Sequence, residues 1–286
     1  MKNNFLFAIL CVFGSFSITA QSSYFNHGQD DFLRVEFNRI FFDDLGADQN
    51  FLSFNAYLNG EFKVGKKNKI SFELPYSRFS IDDGGGGEFS VASIGNIAVG
   101  YQIRDLDSPN YFEFKVRVPT VSEDDLSPLL ILSSDYTERF SAFFPDLLSL
   151  ETSYNLESNN TTGLYYRFRP GLKLLIPTSD ELFNNEVELL LDLNILGGYR
   201  TSKFDVNAGL TTTSIITDSD IDLDDRVLRQ LFTSFTYMGG ALKPGVILRM
   251  PMGELNESIN YSIGVHLTYT FGSNPEQVID NTETNW

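Results

Sequence analysis

The feature that most constrains this chain is alternation sustained over unusually long stretches. In YSIGVHLTYTF, the residues Tyr261, Ile263, Val265, Leu267, Tyr269 and Phe271 fall on one face, and Ser262, Gly264, His266, Thr268 and Thr270 on the other. Period two is the repeat of a β-strand, whose successive side chains point to opposite sides. LSFNAYLNGEFKV, from Leu52 to Val64, alternates for about thirteen residues, well beyond the roughly five or six of an ordinary soluble strand. Similar runs recur near 32–40, 70–77, 94–104, 111–118, 148–156, 164–176, 187–196, 204–213, 228–238, 242–250 and 261–271. The expectation is an all-β chain of about twelve strands with no amphipathic helix in its body.

The connections between these runs alternate in length. Those near 65–68, 105–110, 157–162, 198–203 and 239–241 are short, whereas those near 42–50, 79–92, 119–147, 177–185, 214–227 and 251–258 are mostly longer. Short turns at one end and long loops at the other describe an up-and-down antiparallel barrel that crosses a membrane, and an even strand count returns both ends to the periplasm. A secreted β-sandwich shares the alternation but predicts shorter strands and connection lengths that ignore parity.

The charges decide which face meets lipid. Glu113, Lys115, Arg117, Arg167, Arg169, Lys173, Glu188 and Asp192 all lie on the polar face within strands. An Arg or Lys near the bilayer midplane costs about 2–4 kcal/mol, so turning roughly ten such charges outward would cost on the order of 20 kcal/mol or more. The polar face must line the lumen. The Tyr261–Phe271 row then faces hydrocarbon, with Tyr269 and Phe271 placed to join an interfacial aromatic girdle.

The amino terminus reads MKNNFLFAILCVFGSFSITAQ, with Lys2, an apolar run from Phe5 to about Phe16, and Ile18-Thr19-Ala20 before Gln21. That is the layout of a secretory signal peptide cut after Ala20. The run is too short for the ~20 residues of a spanning helix. Cys11, the sole cysteine, follows Leu10 where a lipidation site would want a small residue. The expected organisation is a signal peptide over 1–20, a barrel over 21–271 and a polar periplasmic tail over 272–286. Without Cys11 the mature chain has no disulfide framework and no thiolate metal site. A net charge of −17 argues against nucleic acid as a partner.

Two resemblances sharpen the expectation. The closing YSIGVHLTYTF resembles the last-strand signal by which Gram-negative outer-membrane barrels are recognised, which implies the barrel-insertion machinery as a partner of Tyr261–Phe271; here a polar tail follows Phe271. ISFELPYSRFS, SIGNIAVGYQIRD and FEFKVRVPT together resemble the family of outer-membrane channels named for the MetA pathway of phenol degradation. In that family a strand ending Leu-Pro-Tyr is followed by Gly-Asp-Ile, by Tyr-x-x-Arg and by a strand ending Pro-Thr. Here the positions are Leu74-Pro75-Tyr76, Gly95-Asn96-Ile97, Tyr101 to Arg104 and Pro119-Thr120, with Asn96 in place of the Asp. The matches cover roughly a fifth of the chain. The resemblance implies an outer-membrane barrel for small, hydrophobic molecules.

Several constellations bear on chemistry. If the strands flanking 177–185 pair so that position numbers sum to about 361, Lys173 meets Glu188, Arg169 meets Asp192 and Arg167 meets Asn194. This is either a charged constriction that selects permeants or a neutralised interior that holds a narrow barrel shut. The connection 119–147 carries Leu129, Leu130, Ile131, Phe140, Phe143 and Phe144, an apolar content that suits a lid or plug over the lumen. Asp218, Asp220, Asp222, Asp224 and Asp225 share one loop, but Leu223 and Arg229 stand where a calcium loop needs Gly and Glu. A solvated acidic loop that contacts lipopolysaccharide through divalent ions is the expectation, with no dedicated metal site or cofactor. Gly84 to Gly87 lack a following Lys-Ser/Thr and form a loop tip. His27 and His266 are the histidines, and His266 has no carboxylate within two positions to orient it as a base. The His-x-Ser-Asn-Gly stretch of the twelve-stranded outer-membrane phospholipase does not occur, so no catalytic residue is expected. Two readings stand: a passive or gated channel for small solutes, and a non-transporting surface barrel with a closed lumen.

Overall fold

The computed structural model describes residues 30–42, 48–49, 53–65, 67–82, 88–104, 109–121, 137–158, 160, 162–179, 186–217, 226–253 and 259–271. The expected signal peptide and polar tail lie outside these residues, as do Leu129, Leu130, Ile131, the aspartates of 218–225 and the glycines of 84–87. The strands are β1 (Asp31–Phe42), β2 (Asp48–Gln49), β3 (Phe54–Val64), β4 (Asn68–Asp82), β5 (Glu88–Ile94), β6 (Ala98–Arg104), β7 (Tyr111–Arg117), β8 (Leu147–Glu157), β9 (Gly163–Pro177), β10 (Glu188–Arg200), β11 (Phe204–Ile215), β12 (Val227–Tyr237), β13 (Leu242–Met252) and β14 (Ile259–Phe271).

All pairings are antiparallel. Neighbours in sequence are neighbours in space, and the ring closes where β1 meets β14. β2 prolongs the line of β3 along β4, while β5 and β6 lie end to end along β4, so the strands fill twelve wall positions of a closed barrel. Closure pairs the first wall strand with the last, which is what a sheet needs when no water is available to satisfy its edges; β2 and β5, toward the long-loop rim, pair with β4 alone among the described residues. The rim that carries both Asp31 and Phe271 has connections of three to six residues; the opposite rim's run from five to twenty-nine.

Two expectations change here. The single strand read over 94–104 is two strands, interrupted at Gly95-Asn96-Ile97. Pro75 stands opposite the break, with no N–H to give, and its carbonyl accepts the Gly95 N–H at 2.9 Å. The connection read over 79–92 shrinks to 83–87, because Phe79 to Asp82 pair with Glu88 to Val91.

The alternation sorts the side chains as read. In β7, Tyr111, Glu113, Lys115 and Arg117 are buried, and Phe112, Phe114 and Val116 are exposed. In β14, Ser262, His266, Thr268 and Thr270 are buried, and Ile263, Val265, Leu267, Tyr269 and Phe271 are exposed. Tyr269, Phe271, Phe62 and Phe72 form a chain of ring contacts 4.9–6.2 Å apart on the outer face near the short-turn rim, where an aromatic girdle belongs. Polar inside and apolar outside is the inverse of a soluble core.

Candidate functional site

The interior is occupied by chain as well as by wall side chains. The described end of the long connection, 137–146, enters the lumen as a turn and a short 3-10 helix, Phe140–Ala142, before joining β8. At one side Thr137 touches β11: its hydroxyl lies 2.8 Å from that of Thr211, and its carbonyl accepts the Thr213 hydroxyl at 3.0 Å. Two residues on, Arg139 reaches Glu73 of β4 at 3.0 Å. β4 and β11 are six positions apart in a ring of twelve, so the segment crosses the barrel from wall to opposite wall.

Arg139 is the centre of a buried charge network. It also binds Glu36 of β1 at 3.1 Å, and its guanidinium stacks over the Tyr57 ring at 3.8 Å. Glu36 is held by Arg34 at 3.2 Å and Arg249 at 2.8 Å, and Glu73 by Arg117 at 2.6 Å. None of the six charged groups is more than 5% exposed. Charges removed this far from water persist only when paired and hydrogen-bonded. The network meets that condition by sharing each carboxylate among several guanidiniums.

Asn96, at the break between β5 and β6, fastens the other end of the segment. Its Nδ2 donates to the carbonyls of Ser141 (3.0 Å) and Phe144 (2.5 Å), and its backbone N–H to that of Ala142 (2.7 Å). Its Oδ1 accepts the backbone N–H groups of Thr120 (2.8 Å) and Val121 (3.0 Å). An aspartate here would have no proton to give the two carbonyls, so the departure from Gly-Asp-Ile coincides with a need for a donor. Beside it, a Cβ on Gly95 would lie 2.5 Å from the Ala142 oxygen and 2.7 Å from the Phe143 ring. Glycine lets wall and segment approach this closely. Phe143 and Ala142 pack on Tyr57, and Phe144 on Leu147, Leu175 and Leu190. Asp146, at φ 45°, turns the chain from the segment into β8.

The eight charges read as lumen residues sit on inward positions, but their expected pairing does not hold. β9 and β10 pair with numbers summing to 363, so Lys173 faces Leu190, Arg169 faces Asn194 and Arg167 faces Leu196. A slip of two residues preserves every face while changing every partner. Lys173 instead meets Asp192 at 3.3 Å, Arg169 meets Glu113 at 3.2 Å, Lys115 meets Glu151 at 3.8 Å and Arg167 meets Glu157. Glu188 lies at the long-loop rim, where it accepts the Thr217 hydroxyl. His266 is buried beside the Thr236 hydroxyl at 3.1 Å. Glu36, Arg34, Arg249 and Arg139 were not singled out from sequence. The first three sit on the polar face of their strands, a discernible signal, but Arg139 lies in a connection with no period to reveal it.

A closed antiparallel barrel with charged interior and apolar belt defines a β-barrel of the outer membrane. No family model matches the chain, and no curated protein sequence matches it. Among solved structures, the fold is similar to the COG4313 outer membrane channel from Pseudomonas putida F1, with 11% identity, 88% of this chain and 99% of that chain covered, and a TM-score of 0.56. It is also similar to LpxR from Salmonella typhimurium, with 9% identity, 84% and 100% covered, and a TM-score of 0.50. At these identities the likeness is one of fold.

Proposed function

We propose that the protein is an outer-membrane channel for small solutes, held shut in this structure by the segment 137–146. The observation that carries the reading is that the obstruction belongs to a connection, not to the wall. It crosses the lumen on side-chain contacts and a few backbone bonds, so its withdrawal leaves the barrel ladder intact. Arg139 is well suited to a reversible latch. When it leaves, Glu36 keeps Arg34 and Arg249, and Glu73 keeps Arg117, so neither acid is stranded. The likeness to the Pseudomonas putida channel supports the same reading at the level of fold.

The test is conductance of the purified barrel in a planar bilayer. Hydrogen bonds to charged groups contribute about 1.5–3 kcal/mol each, so Arg139→Ala, which removes such bonds to Glu36 and Glu73, should raise open probability at least about tenfold. The second reading, a non-transporting barrel, draws on the density of wall ion pairs. It would be left standing if wild type, Arg139→Ala and a variant with 137–146 replaced by a Gly-Ser linker all failed to conduct.

A further inference from the structure

We infer that Arg39, Arg78 and Arg229, on the outer wall, bind the phosphate groups of a lipid in the leaflet at the long-loop end, which in an outer membrane is lipopolysaccharide. The inference does not depend on whether the lumen conducts. The alternation that buries Asn38, Ser77 and Gln230 in the interior turns these three arginines outward. Among the described residues, every other Lys or Arg within a strand has the inward parity. Each of the three stands within four residues of the long-loop end of its strand: Arg39 near Phe42, Arg78 near Asp82 and Arg229 near Val227. The outward positions near the other end instead carry Tyr101, Phe112, Tyr166, Tyr199, Tyr237 and Tyr269. The two ends of the belt therefore offer their headgroups different chemistry.

An arginine on the edge of an apolar belt lays its stem on the wall and sends its head to the interface, where phosphate oxygens match the planar guanidinium fork in pairs. Among the described residues, neither Arg78 nor Arg229 has an ion-pair partner, and the Arg78 Nε is buried without a hydrogen bond. Arg39 lies over the Phe41 ring, 5.1 Å from its centroid, and Phe41 stacks on Tyr261 at 4.7 Å. Arg78 stands opposite Phe54 of β3, the strand between β4 and β1. Two strand spacings of about 4.8 Å thus separate the strands of Arg78 and Arg39, close enough for two forks to share one phosphate. Between them Phe54 touches Phe37 and Tyr76, with ring centroids 5.9 Å apart in each pair, an apolar floor for acyl chains. Arg229, opposite Met252 of β13, offers a second contact on the same belt. With a net charge of −17 the whole chain repels an anionic surface, so attachment depends on where these arginines stand.

The test titrates lipid A, the phosphorylated anchor of lipopolysaccharide, into the full barrel in detergent and reads binding by native mass spectrometry. Near an anionic lipid surface each arginine is worth roughly fivefold in affinity, so Arg39→Gln combined with Arg78→Gln should weaken binding by about twenty-five-fold, and Arg229→Gln alone by about fivefold. Lipid A stripped of its phosphates should bind wild type as weakly as intact lipid A binds the double variant. Lys203→Gln, in the short turn between β10 and β11, should change nothing. The variants should keep the heat-sensitive gel shift of a folded barrel, and the dephosphorylated arm, which uses wild type, decides the matter even where a variant fails to fold. Equal affinity of wild type for the two lipids, or equal affinity of wild type and a folded double variant for lipid A, would overturn the inference. Complete displacement of lipid A by millimolar inorganic phosphate would overturn it too, by assigning the arginines to a free ion.

Discussion

Replacing Asn96 by Asp is nearly isosteric and isolates the fastening of the segment. The carboxylate retains an acceptor for the Thr120 and Val121 amides, but it cannot donate to the Ser141 and Phe144 carbonyls, 3.0 and 2.5 Å away. Two buried hydrogen bonds at about 1 kcal/mol each, with oxygen now facing oxygen, put the loss at about 2 kcal/mol or more. That shifts the balance between seated and released segment by about thirtyfold, since each 1.4 kcal/mol is roughly tenfold. Segment release can be read without any transport assay. With the protein produced from Gln21 onward, the chain contains no cysteine. A Ser141→Cys substitution then supplies a single thiol at a site with 0% exposure. Its labelling rate with a bulky impermeant maleimide should rise by about thirtyfold when Asn96→Asp is added, provided reclosing outpaces labelling. Equal rates in the two backgrounds would show that Asn96 does not hold the segment. Rapid labelling of Ser141→Cys alone would show that the segment is not seated in the lumen at all.

Two further outcomes follow from the same geometry. Gly95→Ala places a methyl group 2.5 Å from the Ala142 carbonyl and 2.8 Å from Pro75 Cβ, where backbone on one side and a fixed ring on the other cannot yield. The segment should be displaced, so labelling of Ser141→Cys should accelerate while the barrel still shows its heat-sensitive gel shift; an unchanged rate would contradict the close approach. Phe114→Arg puts a charge on the outer face of β7, where Phe114 is 49% exposed, and should cost about 2–4 kcal/mol in urea unfolding from lipid vesicles if that position lies near the midplane. A neutral result would place it away from hydrocarbon.

Much of this architecture was legible in one dimension. Period two assigned Phe112, Phe114 and Val116 to one medium and Glu113, Lys115 and Arg117 to another, and the parity of connection lengths arranged the strands as an up-and-down ring. The charges could be placed inside because so many of them share one parity, and lipid tolerates few. These inferences need only a local repeat and a solvent preference.

Partnership needed the third dimension. Lys173 with Asp192 and Arg169 with Glu113 arise from a register two residues away from the one that local charge matching favours, and period two is blind to even-numbered slips. Arg139 reaches Glu36 and Glu73 only because a connection folds back across a closed ring, bringing together residues separated by 103 and 66 positions. Asn96 stood out in sequence as a departure from a motif, but what it fastens is set by where that connection returns. Sequence alone determined which surface each strand turns to water or lipid, since that depends on the strand's own repeat. Tertiary structure decided which connection enters the lumen and what it meets there, since that depends on shape and charge meeting across the barrel.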